Sequence, residues 1–123
     1  MSKPEIIPFD PNSPLVPWED FPEGEIVSGT RKQSGIILFE DKARGLSAGV
    51  WEQGANESRW MDYPVNEFMT VLEGEVVLVL ESGDVAMRAG DVGICRGVMH
   101  GWRNDSDKPA RLITFVLPAA PVG

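Results

Sequence analysis

The runs Phe68–Leu72 and Val76–Leu80, parted only by Glu73-Gly74-Glu75, constrain the fold of this chain more tightly than any other stretch. Both are β-branched and apolar, too short and too dense for an amphipathic helix. They predict a strand, a turn at Glu73-Gly74 and a second strand, a hairpin in which Gly74 takes the positive φ that a tight turn needs. Glu67 heads the first run. A carboxylate there either faces solvent at the strand mouth or points into a cavity, and the chemistry of the protein turns on which.

The same reading extends along the chain. Strands are predicted over Glu25–Gly29, Ser34–Glu40, Leu46–Gln53, Ser58–Tyr63, Glu67–Leu72, Glu75–Glu81, Val85–Arg88, Val92–Cys95, Gly101–Asn104 and Ala110–Leu117. Polar turns separate them, among them Asp41–Gly45, Gly54–Asn56, Ser82–Asp84 and Ala89–Asp91. No segment has a helical period. Short strands at even spacing predict an all-β sandwich or small barrel, and 123 residues without an internal repeat predict one barrel, not two. Residues 1–23 differ. Prolines at 4, 8, 11, 14, 17 and 22 forbid helix and central strand and favour an extended arm. That arm carries Ile6, Phe9, Leu15, Trp18 and Phe21, more apolar side chains than a free tail should hold. It is expected to lie against a sheet, its own or a second subunit's, with the barrel spanning 24–123.

Composition narrows the function. A net charge of −8 argues against nucleic acid, whose phosphates call for surplus Lys and Arg. Cys95 is the only cysteine, so no internal disulfide forms. No apolar run reaches the roughly 20 residues of a membrane span, and the first residues lack a signal-peptide core. The expectation is a soluble, cytoplasmic protein with no membrane partner.

Two spaced motifs carry a resemblance. Gly54-x5-Trp60-x-Asp62-x4-Glu67-x6-Gly74 has the spacing of the first cupin motif, G-x5-H-x-H-x4-E-x6-G. Gly90-Asp91, Gly97, His100 and Asn104 echo the second, one residue short before Gly97 and without its proline. Gly49-Val50-Trp51-Glu52, Tyr63-Pro64-x2-Glu67-Phe68 and Val71-Leu72-Glu73-Gly74 further resemble the small cupins grouped with the ureidoglycine aminohydrolase cupin domain. The resemblance implies a single-domain jelly-roll barrel (a double-stranded β-helix), here with a proline-rich N-terminal arm. It also implies a homodimer and a small-molecule pocket. It does not imply the ureidoglycine reaction, because one fold hosts many chemistries.

In the usual cupin two histidines and the glutamate of the first motif, with the histidine of the second, bind a divalent metal. Here Trp60 and Asp62 fill the histidine slots. Trp60 cannot ligate; Asp62, Glu67 and His100 can, an oxygen-rich set of three that implies a weakly bound divalent transition metal or no cofactor at all. Glu67 and His100, brought together in a barrel, would make a general acid–base pair; alternatively His100 is a satisfied polar residue closing the mouth. Trp60, Asp62, Tyr63 and Trp102 are candidate ligand contacts, the tryptophans being equally able to serve as core. Arg96, in the loop before Gly97, is the best placed of the arginines to select a carboxylate. Cys95 reads as a small buried hydrophobe more readily than as a nucleophile.

Three functions remain open. One is an enzyme acting on a small nitrogenous or carboxylate metabolite with Glu67 and His100 in its pocket. Another is a metal-free barrel that binds a metabolite without turning it over. The third is a structural dimer with a filled interior.

Overall fold

The computed structural model of the chain describes residues 6–10, 12–60, 65–96 and 100–118, and every regular element in them is a strand. In chain order these are β1 (Val16–Pro17), β2 (Ile26–Gly29), β3 (Gln33–Asp41), β4 (Leu46–Gln53), β5 (Asn56–Ser58) and β6 (Val65–Glu73). They continue as β7 (Glu75–Leu80), β8 (Gly83–Arg88), β9 (Val92–Arg96), β10 (His100–Asn104) and β11 (Ala110–Pro118). All pairings are antiparallel. One sheet has six strands in the order β1-β3-β4-β11-β6-β9, and the other has five in the order β2-β5-β10-β7-β8. This is the two-sheet jelly roll that the strand spacing and the motifs implied.

The predicted hairpin does not exist. β6 pairs with β11 and β9, whereas β7 pairs with β10 and β8 in the other sheet. Gly74 does take a positive φ, 80°. It uses that freedom to hand the chain across from one sheet to the other. A Cβ at Gly74 would stand 2.5 Å from the Pro109 carbonyl oxygen, so the turn is pressed against the connection entering β11. Two nearly continuous apolar runs are wanted equally by either sheet, and their composition says nothing about which neighbour they take. A second departure is β5. It begins at Asn56, inside a predicted turn, because Asn56 is paired on both sides, with Gly29 of β2 and Asn104 of β10. Its side-chain Nδ2 also donates to the Thr30 carbonyl at 3.0 Å.

The interior is divided along the strands. On β6 the inward residues Met69 and Val71 join Leu112 and Ala110 of β11 in a core that also holds Val76, Leu78 and Met87. Toward the other end the inward positions turn polar: Glu67 follows Met69, and Thr114 follows Leu112. Strand alternation keeps these residues on one face, so the change of residue type marks where the packed core stops and a cavity starts.

Within residues 1–23, the stretch from Val16 to Phe21 bonds to β3 and the segment before it. Val16 and Pro17 pair with Gly35 and Ser34. Beyond them Trp18 N donates to the Gln33 carbonyl at 3.1 Å, and Phe21 N to the Arg31 carbonyl at 2.8 Å. Residues 1–5 and 11 lie outside the described residues.

Candidate functional site

The cavity between the sheets has a volume of about 490 Å³. Four aromatic rings line it: Trp51 from β4, Trp102 from β10, and Trp18 and Phe21 from the segment leading into β2. Trp51 and Trp102 meet edge to face, centroids 5.3 Å apart and planes at 81°, and so form a corner. Trp18 lies over Gly35, where any Cβ would overlap its ring. The polar wall consists of Glu67 and Glu25, the amides of Gln33 and Gln53, and the hydroxyls of Ser47, Ser58 and Thr114. Among the described lining residues none is cationic.

Glu67 is 3% exposed. It sits where β6 is flanked on both sides, opposite Val116 of β11 and Cys95 of β9. Cys95 is buried, and its thiol is pushed up from the ordinary range, first by burial and then by the Glu67 carboxylate. It is therefore held protonated, as suits a small hydrophobe and not a nucleophile. His100 is equally buried, 2% exposed, on the opposing sheet. It is not among the described lining residues. Its ring packs edge to face on Trp102, centroids 5.4 Å apart. Trp102 thus lines the cavity alongside Glu67 and carries His100 against its ring. The Trp102 backbone N–H is itself held by the Ser58 hydroxyl at 2.8 Å.

The remaining candidates are distributed differently. Trp60 is 43% exposed, is not among the lining residues, and donates its indole N–H to the Val79 carbonyl at 2.7 Å. Arg96 is exposed on β9, opposite Asn66, and is likewise absent from the lining. Asp62 and Tyr63 lie outside the described residues. Arg103 is committed to Asp105 and Asp84, and Arg111 to Glu52 at 3.0 Å. Sequence reasoning passed over Trp18, Phe21 and Gln53. Gln53 was within reach, since it stands two residues beyond Trp51 on the same strand face. It is 3% exposed, and its Nε2 has no hydrogen-bond partner.

The described residues hold only part of the ligand set that the motifs implied. Trp60 offers no lone pair, and its N–H is spent on Val79. Among the described residues no group of three or more His, Cys, Asp or Glu side chains is placed to hold an ion. Glu67 and His100 are the described members of the expected set, and Asp62, its third member, lies outside the described residues.

Residues 50–116, more than half of the chain, match the cupin domain family. The chain belongs to the cupins. This cupin is 54% identical over 55 residues to the cupin-domain-containing oxidoreductase srdB of Neurospora crassa, covering 43% of this chain and 28% of srdB. It is 40% identical over 68 residues to the oryzines biosynthesis cluster protein J of Aspergillus oryzae, covering 54% of this chain and 38% of that one. The matches thus span well under half the length of these relatives. Among solved structures, a protein of unknown function from Pseudomonas syringae pv. tomato aligns with a TM-score of 0.76 at 28% identity, covering 87% of this cupin and 46% of that chain. A predicted oxalate decarboxylase from Thermotoga maritima aligns with a TM-score of 0.66 at 17% identity, covering 85% of this cupin and 93% of that chain, and shows the fold alone.

Proposed function

We propose that this cupin takes a small nitrogenous metabolite into the cavity between its sheets and acts on it by proton transfer. Glu67 accepts the hydrogen bond or proton that the guest offers, and His100, buried against the Trp102 ring, positions that ring at the cavity wall. The observation that carries the reading is a carboxylate, 3% exposed, on the wall of a cavity of about 490 Å³. Such a group suits a guest that donates. A carboxylate guest would face Glu67 and Glu25 with no cation among the described lining residues. The likeness to the ureidoglycine aminohydrolase branch supports the nitrogenous class.

A second reading, binding without turnover, is favoured by one feature: the slot of a metal-binding histidine holds Trp60, bonded to Val79. One experiment separates them. Small nitrogenous metabolites are screened by thermal shift, and each hit is followed for product with the wild type, Glu67→Gln and His100→Ala. The enzyme reading expects stabilisation and product from the wild type, no product from Glu67→Gln and reduced turnover from His100→Ala, each variant still melting cooperatively. Stabilisation without product supports the binding module. No stabilisation at ligand concentrations that should supply about 2.7 kcal/mol, roughly 100 times Kd, would remove both.

We also propose a homodimer. Phe115, Phe68 and Ile94 are directly opposed across β11, β6 and β9, on the face turned away from the cavity. All are exposed, Ile94 at 68%, and the two phenylalanine rings lie 6.4 Å apart. A contiguous apolar row of this kind marks an association surface. Light scattering should give twice the chain mass, and a monomer at micromolar concentration would end the proposal.

A further inference from the structure

We infer that the guest is a small organic cation, an alkylammonium or protonated amine, selected by Trp51, Trp102 and Glu67 together. The inference rests on the reading above that the cavity admits a guest, and it narrows the chemical class of that guest. Three features support it. The Trp51–Trp102 corner, 5.3 Å between centroids, supplies indole surface of two orientations to one small volume. A cation within about 6 Å of an indole face is attracted by the ring quadrupole, most strongly where water is excluded. Glu67 brings a carboxyl group to the same wall, Glu25 brings another from the segment leading into β2, and no described lining residue is a cation. A cationic guest therefore meets two acidic side chains and the indole surface, a neutral one keeps only the indole contact and the neutral amides and hydroxyls, and an anion meets repulsion. Gln53 Nε2, buried and without a partner, is a donor left over for an oxygen on the same guest.

The test is isothermal calorimetry on the full chain with choline, its uncharged isostere 3,3-dimethylbutan-1-ol, and benzylammonium, with acetate as the anionic probe. At least one ammonium is expected to bind, choline at least about tenfold tighter than the alcohol if it is that one. Glu67→Gln and Trp102→Phe, checked for cooperative melting, should each erode that preference. Equal or tighter binding of the alcohol or of acetate would overturn the inference while leaving the pocket reading intact. If no probe of any charge binds at millimolar concentration, the inference and the pocket reading both fall.

Discussion

Replacing Gly35 by alanine tests how the mouth of the cavity is built. A Cβ at position 35 would overlap the far edge of the Trp18 ring and stand 2.6 Å from the Val50 carbonyl oxygen. The ring can swing away, but the carbonyl belongs to the β3–β4 ladder and cannot move without breaking pairing. Overpacking at a filled site costs about 1–3 kcal/mol. Displacing half of an indole's roughly 200 Å² of buried surface, at about 25 cal/mol per Å², adds about 2.5 kcal/mol. The two routes are partly alternatives, so a loss of about 2–4 kcal/mol is expected, read from the urea midpoint at constant m. A cycle with Trp18→Ala divides the cost. Removing the ring first should relieve about 1–2 kcal/mol of the Gly35→Ala penalty, the share owed to the ring, and leave the share owed to Val50. A Gly35→Ala loss below about 0.5 kcal/mol, within the range of indifferent surface changes, would refute the claim that Trp18 is seated on that glycine.

Leu112→Ala, at a position 0% exposed in the core, should cost about 2–5 kcal/mol in the same assay, and a loss under about 1 kcal/mol would mean the core is not closed there. Asn104 donates to the Lys108 carbonyl at 2.8 Å and accepts from Ser106 N and Oγ at 3.0 and 2.8 Å. Asn104→Ala should therefore destabilise by about 1–3 kcal/mol through the orphaned turn groups, and an unchanged melting temperature would contradict this. Cys95 titrates above the ordinary thiol range because of burial and then Glu67. The folded protein thus keeps a proton that the unfolded chain releases. The contribution is complete below the ordinary thiol pKa and is lost as pH rises through the raised value, so stability should fall with alkaline pH less steeply in Cys95→Ala than in the wild type. Identical slopes would count against the assignment.

Local structure was more legible than pairing. β4 was read over its observed span, Leu46–Gln53, because polar turns bracket it on both sides. The β6–β7 hairpin was misread because Phe68–Leu72 and Val76–Leu80 are apolar at nearly every position, and alternation is what tells a strand which sheet it faces. Of the site, Glu67 could be singled out because it heads the run Phe68–Leu72 at the glutamate position of the first motif, and Trp102 because it alternates with His100. Trp18 and Phe21 could not be placed: their segment has no period, and it reaches the cavity through backbone hydrogen bonds to Gln33 and Arg31 that any sequence could make. Trp60 occupies a motif position, yet its indole is drawn outward by the Val79 carbonyl, a contact between residues 19 apart that spacing does not reveal.

The central claim is that a guest enters the space bounded by Glu67 and three of the four tryptophans. The indole N–H resonances of ¹⁵N-labelled protein test it directly during titration with an ammonium guest. The signals of Trp18, Trp51 and Trp102 should move together and saturate, while that of Trp60, bonded to Val79 away from the cavity lining, should hold still. Movement of Trp60 alone, or no movement of the other three at saturation, would contradict the account.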